Sequence, residues 1–93
     1  MSLERNVRVE VIGVNPPCPR CEATWKNVEN AVLTVKLEGI EATVNKLDIM
    51  SKDVIQEYGA VVSPVVVVDG KIRIMGRVPD SNEIVKLLRE IAK

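Results

Sequence analysis

The chain reads as an α/β domain with a four-stranded mixed sheet and the element order β-α-β-α-β-β-α. Three observations carry that reading. Val7, Val9 and Val11 alternate with Arg8 and Glu10, the period of a half-buried strand. Beyond Cys18 the apolar spacing changes to three and four residues, the period of a helix lying on a sheet. Asp69-Gly70 then separates two apolar runs and is a strong hairpin signal. Right-handed crossovers make the first two strands parallel, and the hairpin makes the last two antiparallel.

The first strand spans roughly residues 6–13, and Ile12 and Val14 continue its apolar run past Gly13. Asn15-Pro16-Pro17 ends it, because residues before proline avoid the α region. The first helix starts at Cys18. Cys21, Trp25, Val28, Val32 and Val35 form its buried stripe with Ala31, and Glu22, Lys26, Glu29 and Lys36 face water. Gly39 suits the C′ position beyond Leu37.

The second strand, roughly residues 42–47, alternates imperfectly. Ala42 and Val44 fall on one face and Leu47 and Ile49 on the other, which suits a twist, bulge or edge position. Ser51 caps a short helix with Val54, Ile55 and Tyr58 on its apolar side, and Gly59 stops it. The run 61–68 reads as a strand covered on both faces. Lys71–Met75 returns nearer the edge, with Ile72 and Ile74 toward the core and Lys71 and Arg73 outward. Asp80 and Glu83 have capping-box spacing at the start of the last helix. Ile84, Leu87, Leu88 and Ile91 are its buried stripe, and Lys86, Arg89, Glu90 and Lys93 its wet face.

Composition narrows the function. Residues 1–93 form one small domain, whose core is built from Val, Ile and Leu, since there is no Phe, one Trp and one Tyr. Thirteen basic and thirteen acidic residues cancel, and no basic stripe with interleaved aromatics points to nucleic acid. The first six residues are polar and lack the apolar core of a signal peptide. No stretch approaches the ~20 apolar residues that cross a bilayer. The expectation is a cytoplasmic protein without membrane association, where a static disulfide is less expected than a catalytic one.

Chemistry concentrates in Cys18-Pro19-Arg20-Cys21, which holds both cysteines of the chain. Cys18 falls at the N-cap and Pro19 at N1, where its missing N–H is harmless. The N–H groups of Arg20 and Cys21 then point toward the Cys18 sulfur, and with the positive helix end they favour the thiolate. Arg20 adds positive charge and Glu22 offsets it. Cys21, one turn along, is close enough to close a ring with Cys18. Two other readings stand beside the redox pair. The cysteines are inert core residues, or they bind a soft metal such as Cu(I), or Zn²⁺ when two chains supply four thiolates. No histidine or third cysteine completes a zinc site within one chain.

Together with Tyr58-Gly59, Ser63-Pro64, Asp69-Gly70-Lys71 and Gly76-Arg77-Val78-Pro79, this motif resembles the thioredoxin-like family, in particular its small, glutaredoxin-sized members. The resemblance covers nearly the whole chain and implies a three-layer fold. It implies Cys18 as nucleophile, Cys21 as resolving cysteine and Pro64 as a cis proline facing them. The Ser63 backbone would then lie beside Cys18 and pair with an extended substrate peptide. Pro64 as a plain strand-starting residue is the other reading. Implied partners are a disulfide-containing protein substrate and a separate protein reductase, since no cofactor fingerprint is present. Two positions depart from the family: Pro17 replaces its tryptophan, and Ile12 its buried acid. Proton transfer from Cys21 then falls to water, a partner group or Glu22. Arg77 and Asp80 lie near the glutathione-binding region of glutaredoxins, but are read as solvent-facing charge and helix cap.

Overall fold

A computed structural model of the chain describes residues 5–14 and 18–92. The Asn-Pro-Pro turn, including Pro17, and the wet position assigned to Lys93 lie outside the described residues. The elements are β1 (Arg5–Gly13), α1 (Pro19–Lys36), β2 (Ile40–Asp48), α2 (Lys52–Tyr58), β3 (Val65–Val68), β4 (Lys71–Met75) and α3 (Ser81–Ile91). The sheet order is β2-β1-β3-β4. β1 runs parallel to β2 and antiparallel to β3, and β3 and β4 are antiparallel. The expected order, mixed sheet and strand directions are all present.

Two apolar clusters flank the sheet and give the three layers. On one side Val7, Val9, Val11, Val66 and Val68 pack against Val28, Ala31 and Val35 of α1 and Ile84, Val85 and Leu88 of α3. On the other, Ile12, Val65 and Val67 meet Val54 of α2. β3 therefore contributes alternate valines to both clusters, which explains its unbroken apolar sequence. β2 is an edge strand, and its split pattern is real. Ala42 and Val44 join the α1 side, while Leu47 and Ile49 join the α2 side.

Several local expectations are corrected. β2 reaches from Ile40 to Asp48 because it pairs with β1 residue for residue, from Arg5↔Ile40 to Gly13↔Asp48. β3 starts only after Pro64, which has no N–H for a ladder, and Val62 before it is exposed. A bulge in the β3–β4 pairing sets Ile74 opposite Val66 but Ile72 opposite Val67, on the other face. Ile74 is thus buried and Ile72 is not. Ile55 lies on the outer side of α2 and is exposed.

In α1 the stripe is Cys21, Thr24, Val28, Ala31 and Val35, with Trp25 and Val32 half-buried at its margin. Thr24 enters the core because its hydroxyl donates to the Arg20 carbonyl at 2.9 Å. Leu37, not Glu38, is the C-cap, so Gly39 falls one position beyond C′. In α3 Val85 is buried, and Leu87 and Ile91 are half-buried. The hairpin turn holds Asp69 and Gly70 at φ 49° and 83°, the left-handed pair that a tight two-residue turn demands. No helix among the described residues is long and apolar enough to cross a membrane.

Candidate active site

Cys18 is the N-cap of α1, with extended backbone at φ −81° and ψ 166° and Pro19 following at N1. Helical geometry begins only after the first cysteine, which leaves Cys18 half-exposed and turns Cys21 inward to 5% exposure. Their sulfurs lie 3.2 Å apart as free thiols. The Cys18 sulfur is too weak an acceptor to make the short cap hydrogen bond of an oxygen, but the Cys21 N–H still faces it. The Cys18 pKa is accordingly lowered from the ordinary thiol value. The main cause is the backbone N–H of Cys21, followed by the Cys21 thiol as donor, with some opposition from burial.

The β4–α3 connection is tied to this end of α1. Arg20 Nη2 donates to the Gly76 carbonyl at 2.7 Å, and the Gly76 N–H donates to the Pro64 carbonyl at 2.9 Å. Arg20 is therefore anchored across the site. Through Gly76 the cysteine motif and the Pro64 segment share one hydrogen-bonded chain. The Ser63–Pro64 peptide is cis, as the family resemblance implies, and Pro64 is buried. Asn27 Nδ2 adds a second tie, donating to the Pro79 carbonyl at 2.8 Å.

Ile12, in the place of the family's acid, is wholly buried among apolar residues. Cys21 instead borders a cleft of about 340 Å³ whose walls include Val11, Gly13 and Trp25 and whose charged groups are Glu22, Lys46 and Asp48. The Lys46 ammonium lies 4.7 Å from the centre of the Trp25 ring, a cation–π contact. Trp25 is thus both a margin of the core and a wall beside the inner cysteine. Sequence reasoning passed over Gly13, Lys46 and Asp48. The signal was available, because parallel pairing brings the C-terminal ends of β1 and β2 together beside the N-terminus of α1.

Arg77 and Asp80 take structural roles. Asp80 accepts from the Glu83 N–H at 2.7 Å as the cap of α3. The Glu83 carboxylate is engaged by the Arg77 guanidinium, so Arg77 is a paired charge. Each lies on the favourable side of its ordinary pKa, Glu83 lowered and Arg77 raised, first through their shared hydrogen bond. Among the described residues no three of His, Cys, Asp and Glu converge as metal ligands.

A three-layer α/β fold with a Cys-x-x-Cys pair at the start of its first helix is consistent with a redox-active dithiol domain. Residues 7–89 match the family model described as the thioredoxin domain, and the chain belongs to that family. It is 37% identical over 82 residues to a thioredoxin from Methanothermobacter thermautotrophicus, covering 88% of this chain and 97% of that protein. A mutant thioredoxin from Halobacterium salinarum NRC-1 superposes with a TM-score of 0.69 at 20% identity, over 96% of this chain and 77% of that one. That structural likeness speaks to the fold.

Proposed function

We propose that the protein is a thiol–disulfide oxidoreductase that reduces disulfides of proteins or small molecules through Cys18 and Cys21. One observation carries the reading: a half-exposed sulfur at a helix N-terminus stands 3.2 Å from a buried partner sulfur. The Cys18 thiolate attacks a substrate disulfide and forms a mixed disulfide, expelling one substrate thiolate. Cys21 then attacks Cys18, the ring closes and the second substrate thiolate leaves. Glu22 and Asp48 stand in the cleft beside Cys21, which suits it as the exit for the Cys21 proton. The Pro64 segment, tied through Gly76 to Arg20, supplies the ledge on which an extended substrate chain rests. A separate protein reductase returns the oxidised pair to the dithiol.

Reduction of insulin by dithiothreitol, followed by turbidity, tests the proposal. Wild-type protein accelerates precipitation, and Cys18→Ser does not. Equal slow rates for the two proteins would end the reading. Cys21→Ser used as bait is expected to retain its substrates and reductase as mixed disulfides that dithiothreitol releases.

A further inference from the structure

Four of the five glycines hold a positive φ, and Gly13 is the exception. It closes β1 as an ordinary strand residue, paired with Asp48 of β2. A glycine there loses more backbone freedom on folding than other residues and offers no side chain to pack, so a strand ordinarily avoids it. Such a glycine marks a place where another group approaches the backbone closely. The approaching group is the Cys21 side chain. A Cβ on Gly13 would lie 3.0 Å from Cys21 Sγ and 3.2 Å from Cys21 Cβ. Both distances are inside the ordinary carbon contact range of roughly 3.5–4.0 Å.

The strand cannot readily give way. Besides its pairing with β2, the Gly13 carbonyl accepts the Ile49 N–H at 2.9 Å. We propose that Gly13 is a positioning residue for the resolving sulfur. Its missing Cβ lets Cys21 Sγ rest where it can attack Cys18 Sγ. The inference rests on the dithiol reading above. In the step concerned, the Cys21 thiolate attacks Cys18 Sγ of the mixed disulfide. The Sγ–Sγ bond forms, the bond from Cys18 to the substrate sulfur breaks, and that sulfur leaves with the electron pair. The proton that Cys21 lost passes to water. An intramolecular attack of this kind is sensitive to displacement of the nucleophile.

The test mixes the reduced full chain with less than one equivalent of 5,5′-dithiobis(2-nitrobenzoate) and follows thionitrobenzoate release. The first release reports attack by Cys18, and the second reports displacement by Cys21. In Gly13→Ala the first rate is expected to stay within about twofold and the second to fall at least roughly tenfold. A second release at the wild-type rate overturns the proposal. A second release that persists in Cys21→Ser, or is missing in the wild type, overturns the dithiol reading instead and the inference with it.

Urea unfolding of Gly13→Ala with Cys21 present and in a Cys21→Ala background guards against a simple folding defect. Greater loss of stability, or outright unfolding, only where the sulfur is present supports the contact. Equal loss in both backgrounds, or failure of both to fold, places the cost on the strand or on the Cβ that Cys21→Ala retains, and overturns the link of Gly13 to the Cys21 sulfur.

Discussion

Cys18 and Cys21 place their sulfurs 3.2 Å apart, yet only the first of them meets solvent appreciably. The asymmetry follows from where the helix starts. An N-cap residue stands outside the helical cylinder, and the residue three positions later turns back toward the sheet. The same placement directs the free N–H of Cys21 at Cys18, which makes the exposed sulfur the better anion.

Iodoacetamide alkylation of the reduced protein is therefore expected at Cys18, with a pH midpoint below the ordinary thiol value of about 8.5. The sign follows from the donors: they stabilise the thiolate, so a larger fraction is ionised at neutral pH than in the unfolded chain. Cys21→Ala removes the thiol donor and keeps the backbone N–H, the larger cause. Its midpoint is expected to rise only partway toward the ordinary value. A complete return would contradict the backbone N–H as principal cause.

Tyr58 closes the other face of the sheet, donating its hydroxyl proton to Glu10 at 3.0 Å. Burial, then this hydrogen bond, pushes its pKa up to about 12 from 10.0. The neutral phenol is thus favoured by folding. Its contribution is full below pH 10.0 and is lost as pH rises toward about 12. Urea unfolding of wild type and Tyr58→Phe is expected to differ by about 1 kcal/mol at neutral pH. That difference shrinks over the alkaline interval; a constant difference across it would contradict the linkage.

Much of this architecture was legible because its periodicities are strong. Val7, Val9 and Val11 announce a strand, the Cys18-to-Val35 spacing a helix, and Asp69-Gly70 a turn, and each local preference agrees with the fold. Apart from Thr24, what escaped depended on partners distant in sequence. Ile72 and Ile74 look equivalent until the bulge against β3 separates them. Thr24 looks polar until its hydroxyl is satisfied within α1. The cysteine pair and Pro64 could be read from the motif and its resemblance. The cleft behind Cys21 was passed over, although parallel pairing of β1 and β2 sets Lys46 and Asp48 beside Glu22 at the start of α1.

Asp80 offers a test of the capping pattern. Its carboxylate accepts from the Glu83 N–H, while the Glu83 side chain is occupied by Arg77, so one half of the expected reciprocal box carries the cap. Asp80→Ala is expected to cost about 1 kcal/mol in urea unfolding, typical of a lost N-cap. Glu83→Gln keeps the backbone donor and is expected to cost less. The reverse ranking would move the stabilisation from the cap to the ion pair.

The bulge in the β3–β4 pairing makes a prediction that simple alternation does not. Ile74 is 5% exposed and packs with Val66, Ile84 and Leu88, whereas Ile72 is 38% exposed and faces the opposite side of the sheet. Ile74→Ala removes buried methyls and leaves a space that the surrounding sheet and α3 cannot fully refill, so a loss of about 2–4 kcal/mol is expected. Ile72→Ala exposes little that was hidden and is expected to cost less than about 1 kcal/mol. Urea midpoints of the two variants at unchanged m-value check the contrast. Equal losses would mean that both isoleucines share one buried face, as an unbulged strand requires.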